Sequence, residues 1–187
     1  GIQLPRNPSI SLTLTEAFTQ TLIRYGAKET DTPGPEISFK FQGQPQSQFE
    51  AKIKDFIHLV AQYQPFLLNL KLDISSGNSF PHSARIASSA SSMSALALCL
   101  CSIEDYFFET LNDDEIFAQK ASFIARLGSG SACRSIYPEL SLWGQTPDIT
   151  ASSDLFAIPF GEEVNPIFTT YCDDILFIDT VVKSISS

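Results

Sequence analysis

From Ser9 to Tyr25 polar and apolar residues take turns, with Ile10, Leu12 and Leu14 in a first run and Thr19, Thr21 and Ile23 in a second. Alternation puts successive side chains on opposite faces of an extended chain. It predicts a strand, a break near Glu16-Ala17 where the pattern lapses, and a strand again. Ile37 to Phe41 alternates in the same way, between a loop at Thr30–Pro35 and a turn at Gly43–Ser47. The period then changes. Over Gln48–Tyr63 the residues Phe49, Ile53, Phe56, Ile57 and Val60 fall on one face of a helix. Leu67 to Ile74 returns to a strand pattern.

Two further helices follow. Polar residues around Asn78 and Pro81 lead into a run of small residues that predicts a helix from Ile86 or Ser88 to Tyr106. Ala90, Ser94, Ala97 and Cys101 recur there at helical spacing and are small enough for a neighbour to approach closely. Asn112 to Leu127 predicts the next helix, capped by Asn112 or Asp113, with Glu115 and Ile116 in its first turn and Gly128 as its stop. Ser135–Trp143, Leu155–Ile158 and Ile175–Val182 read as strands. No internal repeat is visible. The order predicts one α+β domain, a sheet with helices on one face.

Composition changes this picture little. At 187 residues and 43% hydrophobic content, the chain is long enough for one domain with a sizeable core. No apolar run approaches the length that crosses a bilayer, and no N-terminal signal pattern is present. Of the four cysteines, Cys99 and Cys101 point to different sides of one predicted helix, while Cys133 and Cys172 are distant in sequence. That is no disulfide framework, and a reducing compartment is the plain reading. No Cys or His pair has metal-ligand spacing, so no metal site is expected. His58 falls on the amphipathic helix as a surface or boundary residue, and Trp143 reads as a core or rim aromatic. No Ser–His–Asp or Cys–His set suggests a hydrolase.

Charge narrows the partners. Twelve Lys and Arg residues face twenty-one carboxylates, a net charge of −9, which argues against a nucleic-acid surface. It does not argue against a small anion pocket with its own donors. Gly128-Ser129-Gly130-Ser131-Ala132-Cys133-Arg134-Ser135 offers such donors, with no bulky side chain before the arginine. Glycines allow close backbone approach, and a guanidinium fork matches a carboxylate or phosphate. The same composition would also suit a flexible turn. Upstream, the helix that starts near Ser88 has unpaired N–H groups and a positive dipole end in its first turn, where Ser88 and Ser89 add hydroxyls.

Four segments together carry a family resemblance. Pro81 to Ala90 follows the phosphate-loop pattern Pro-x-x-x-Gly-Leu-x-Ser-Ser-Ala, and Ser129 to Arg134 spell Ser-Gly-Ser-Ala-Cys-Arg in full. Gly1 to Ser11 is similar to the segment that follows a Lys-Tyr-Trp-Gly-Lys motif. Asp179 to Ser187, with Lys183 and Ser186-Ser187, is similar to a Lys-x-Val-Ser-Ser strand and turn. On these residues the chain resembles the GHMP kinase superfamily, in its mevalonate diphosphate decarboxylase branch, over essentially its whole length.

The resemblance implies a two-layer N-terminal domain of the GHMP kinase type (ribosomal protein S5 domain 2-like) over residues 1–187. That domain would lack its first strand region and the C-terminal domain that carries the family's catalytic aspartate. Asp173, Asp174 and Asp179 are therefore read as turn and strand-edge residues. It implies ATP with Mg²⁺, the phosphates lying at Ala87, Ser88, Ser89 and Ala90. It implies a small-molecule substrate, mevalonate diphosphate, held by Ser129, Gly130, Ser131, Ala132, Cys133 and Arg134, with Arg134 on the substrate carboxylate and Asn7 and Ser9 nearby. Members are intracellular and commonly homodimers, which implies a cytoplasmic protein with neither a membrane nor a nucleic-acid partner. The implied reaction is ATP-dependent decarboxylation to isopentenyl diphosphate. A mevalonate 3-kinase, a phosphomevalonate decarboxylase or a non-catalytic fragment would share the same half. The departures are Arg85 and Ser92 at positions where glycine is usual, and Pro138-Glu139 where a Gly-Gly pair is common.

Overall fold

β5 (Leu70–Asn78) is the strand on which the larger sheet is assembled. The structure, a computed structural model, describes residues 3–80, 88–161 and 164–173. Within them β5 pairs antiparallel with β2 (Thr19–Ala27) and parallel with β3 (Glu36–Phe41), and β3 pairs antiparallel with the short β4 (Gln44–Pro45). Leu72, Ile74 and Ser76 of β5 are buried while Asp73 and Ser75 are exposed, so a strand in the middle of the sheet keeps one face wet. α1 (Ser47–Val60) packs on β3, α2 (Ser88–Phe108) on β2, and α3 (Asp114–Gly128) against both helices. Buried Phe39, Phe41, Ile53, Phe56, Ile57, Leu72, Leu100 and Ile124 belong to the core these layers share. A second sheet holds β1 (Ser9–Leu12), β6 (Leu140–Trp143) and β7 (Ile158–Pro159), with β6 central. The domain is α+β, as expected, but among the described residues its strands form two sheets rather than one.

Most differences from the sequence pattern lie at element ends. The strand expected from Leu67 starts at Leu70, because Pro65–Asn69 form a 3-10 helix with Pro65 in its first turn, where no N–H is needed. The helix expected to reach Tyr63 ends at Val60. The strand expected from Ser135 begins only at Leu140, since Gly130–Ile136 form another 3-10 helix. Pro138 lies outside β6 and removes no donor from its ladder. Glu139 has φ of 59°, in the left-handed region, which explains why glycine suits that position. The strand expected over Leu155–Ile158 is reduced to Ile158–Pro159. Arg85 and the strand expected over 175–182 lie outside the described residues. His58 is exposed and Trp143 is buried. No helix among the described residues is long and apolar enough to cross a membrane.

The start of α3 follows the sequence closely and its end does not. Asp113 is the cap, its Oδ1 accepting from the Glu115 and Ile116 amides at 2.9 and 3.0 Å. Gly128 is not a left-handed stop but the last helical residue, and the chain leaves through Ser129 in extended conformation. Glycine is required there by packing. A Cβ at Gly128 would stand 2.6 Å from Met93 Sδ and 2.9 Å from Phe56 Cδ2. Replacing a helical glycine by alanine ordinarily gains up to about 1 kcal/mol. Here Gly128→Ala is expected to lose about 1–3 kcal/mol in urea denaturation, because the added methyl overpacks the contact with α1 and α2. A gain in stability would contradict this packing.

Candidate active site

Three serines from three elements hold the segment that carries Ser131 and Arg134. Ser94 Oγ of α2 donates its one hydrogen between Ala90 O at 2.8 Å and Ala132 O at 2.7 Å. Ser122 Oγ of α3 donates to Cys133 O and accepts from Ala157 N, both at 2.9 Å. Ser141 Oγ of β6 donates to Arg134 O at 3.1 Å. The three side chains are only 3%, 0% and 2% exposed. A buried carbonyl without a donor costs as much as a lost hydrogen bond, so successive carbonyls of the turn are tied to α2, α3 and β6.

The turn borders a cleft of about 410 Å³. Ser131, Arg134 and Ser135 line one side, Ala90, Ser91 and Ser94 of α2 another, and Ser11, Thr13 and Thr19 contribute hydroxyls. In β1 the alternation is the reverse of a core strand. Ile10 and Leu12 are 49% and 46% exposed, while Ser9 and Ser11 turn inward. Ser11 and Leu12 of β1 line the cleft, together with apolar Phe18, Phe80 and Leu98. Arg134 Nη1 donates to Ser9 Oγ at 2.9 Å, and its guanidinium carbon lies 5.9 Å from the centre of the Trp143 ring. Trp143 is fixed in turn by its Nε1 donating to Asp154 O at 3.0 Å. Among the described residues, no carboxylate lies within ion-pair distance of Arg134.

The residues singled out in the sequence therefore divide. Ser131 and Arg134 face the cleft together with Ala90. Ser129 is half-buried at the end of α3. Gly130 is buried, with its N–H donating to Gln3 Oε1 at 2.7 Å. Ala132 and Cys133 are fully buried, and their side chains belong to the core. Ser88 is half-buried and Ser89 exposed in the first turn of α2. Ala87 lies outside the described residues. Asn7 is exposed.

Sequence reading passed over Ser94, Ser122 and Ser141 as donors. The signal was present, since Ser141 stands between Leu140 and Leu142 and Ser122 between Ala121 and Phe123. A hydroxyl set in an apolar stretch needs a partner. Thiol chemistry is not supported at Cys133. Burial pushes its thiol up to about 12, and its Sγ donates to Gly130 O at 3.1 Å. Cys101 is likewise pushed up to about 12 by burial. Among the described residues, no group of three or more His, Cys, Asp or Glu could hold a metal ion.

Known proteins resemble this chain in sequence and fold. The profile of the diphosphomevalonate decarboxylase-like N-terminal domain matches residues 1–155. The diphosphomevalonate decarboxylase of Candida albicans is 33% identical over 156 residues, which cover 79% of this chain and 41% of the relative. That of Saccharomyces cerevisiae is 28% identical, covering 100% of this chain and 46% of the relative. The chain thus spans less than half the length of these curated relatives. Among solved structures, mevalonate diphosphate decarboxylase from Enterococcus faecalis superposes with a TM-score of 0.62 at 33% identity, covering 84% of this chain and 44% of that one. The Staphylococcus aureus enzyme gives 0.65 at 28% identity, covering 84% and 43%. A further structure, of MDDEF in complex with MVAPP, AMPPCP and magnesium, gives 0.61 at 33% identity and covers 83% and 43%. Matched over most of its length by that N-terminal-domain profile, the chain belongs to the diphosphomevalonate decarboxylase family.

Proposed function

We propose that the protein takes part in the ATP-dependent decarboxylation of mevalonate 5-diphosphate to isopentenyl diphosphate. One observation carries this reading: the Arg134 guanidinium faces a cleft with a hydroxyl and a ring for neighbours and, among the described residues, no carboxylate to neutralise it. A fork of donors left in that state suits an anionic ligand, and the carboxylate of mevalonate diphosphate matches it bidentately. Ser131 borders the same cleft and can donate to the same ligand. The named relatives act on, or have been solved with, such a molecule, which supports the assignment.

For the nucleotide, the start of α2 offers a place next to Ala90 and Ser91, which line the cleft. Ser88, half-buried, and Ser89, exposed, lie in the first turn of this helix of 21 residues, whose dipole favours phosphate. Bound there with Mg²⁺, ATP would supply the transferable phosphoryl group. A Mg²⁺ ion takes many of its ligands from phosphate and water, and so asks little of the protein.

The chain's own contribution is positioning and charge. Phosphoryl transfer to the tertiary hydroxyl needs donor and acceptor in line, and the cleft brings α2 and the Ser131–Arg134 turn to one place. In the second stage the C–O bond to the new phosphate breaks. The electron pair of the carboxylate's C–C bond becomes the double bond, and carbon dioxide leaves. Arg134, held by Ser9 and the Trp143 ring, would fix the plane of that carboxylate throughout.

Arg134→Lys keeps the charge and loses the fork. In the complete enzyme, with ATP, Mg²⁺ and mevalonate 5-diphosphate, carbon dioxide release is expected to fall about 100-fold in kcat/KM, near 3 kcal/mol of transition-state stabilisation. Activity within a few-fold of the parent would remove Arg134 from the carboxylate. Isopentenyl diphosphate as the product supports decarboxylation, whereas a phosphorylated product that keeps its carboxylate would make the protein a kinase.

A further inference from the structure

Arg126 is a buried cation that the proposed chemistry does not use. It lies in the last turn of α3, 1% exposed, and among the described residues it has no carboxylate partner. Its Nε donates to Leu155 O at 2.6 Å, its Nη1 donates to Gln3 O at 3.0 Å, and its guanidinium carbon lies 5.3 Å from the centre of the Phe123 ring. Burying a guanidinium without a counter-charge is unfavourable, and a Met or Leu would fill the same space at less cost. The helix C-terminus offsets part of that cost. What an apolar residue could not do is hold two carbonyls at once, one of them from the far N-terminal end of the described chain.

The Gln3 contact leads directly to the site. The main-chain oxygen of Gln3 is held by Arg126, and its side-chain Oε1 accepts from Gly130 N at 2.7 Å. Gly130 begins the 3-10 helix that carries Ser131 and Arg134. The fit is close. A Cβ at Gly130 would stand 2.6 Å from Gln3 Oε1 and 3.1 Å from Trp143 Cη2, so glycine is the residue that lets Gln3 reach the amide.

We infer that Arg126 is a positioning residue, which through Gln3 fixes the first residue of the turn and with it the direction in which Ser131 and Arg134 face the cleft. The bracket from Arg126 to Gln3 to Gly130 stands on its own geometry. Its effect on ligand binding rests on the function proposed above.

The test reads two quantities, amide hydrogen exchange at Gly130 by NMR and binding of mevalonate 5-diphosphate by calorimetry, both well below the unfolding midpoint. Gln3→Met keeps the length of the side chain and removes the acceptor. It is expected to speed Gly130 exchange and weaken binding, each by about fivefold to tenfold, the size of one lost hydrogen bond. Gln3→Glu restores an acceptor and is expected to return Gly130 exchange to within about threefold of the parent, a rescue that general loosening of the fold would not give. Arg126→Met should speed Gly130 exchange as Gln3→Met does; if it fails to fold, the Gln3 pair decides. Unchanged Gly130 exchange in Gln3→Met overturns the bracket. Faster exchange with unchanged binding overturns the positioning role. Faster exchange in Gln3→Met, where the parent itself binds no mevalonate 5-diphosphate, supports the bracket and counts against the proposed function instead.

Discussion

Three hydroxyl-to-carbonyl bonds, from Ser94, Ser122 and Ser141 to Ala132, Cys133 and Arg134, are the constraint on which the site depends. A short 3-10 helix has poor internal hydrogen-bond geometry and does not hold itself. Ala132 and Cys133 are fully buried here, and the three serines that reach the turn are almost fully enclosed. Each serine adds a side-chain donor to a carbonyl of the turn. Because the donors come from α2, α3 and β6, the turn is correctly placed only when those elements are packed together. The packing of these elements thereby sets where the turn, and with it Arg134, lies.

The cleft reverses the usual logic of an amphipathic strand. Ser9 and Ser11 of β1 are half-buried while Ile10 and Leu12 are exposed, so Ser9 is free to meet Arg134 and Ser11 borders the cleft. Arg134 rests against Ser9 and Trp143, and Arg126 secures the N-terminal segment behind the turn. The net charge of −9 repels anions from the surface as a whole. A local guanidinium at short range in a partly desolvated cleft outweighs a screened distant field, since screening acts most on exposed and separated charges.

Periodicity revealed the strands at Ser9 and Thr19, the buried face of α1 and the Asp113 cap, because each is written in a few neighbouring residues. The element ends around Pro65, Ser135 and Leu155 were not legible, since 3-10 helices have no distinct hydrophobic period and turn chemistry decides them. Gly128 has the sequence look of a helix stop, but the contact with Met93 and Phe56 is what requires it. Of the site, the Ser129–Arg134 segment and the start of α2 stood out by composition. The hydroxyls that hold the segment did not, because Ser94 suits helix packing equally well and Ser122 and Ser141 show their partners only in three dimensions. Nor could sequence show that Ala132 and Cys133 face the core while Ser131 and Arg134 face the cleft.

Urea denaturation of Ser122→Ala tests the central claim most directly. The substitution removes one oxygen atom, and with it the donor to Cys133 O and the acceptor of Ala157 N. One buried amide left without its acceptor and one carbonyl left without its side-chain donor predict a loss of about 1–3 kcal/mol with little change in m-value. A loss within about 0.5 kcal/mol, the range of an ordinary surface substitution, would show that the turn is held by something other than these hydroxyls.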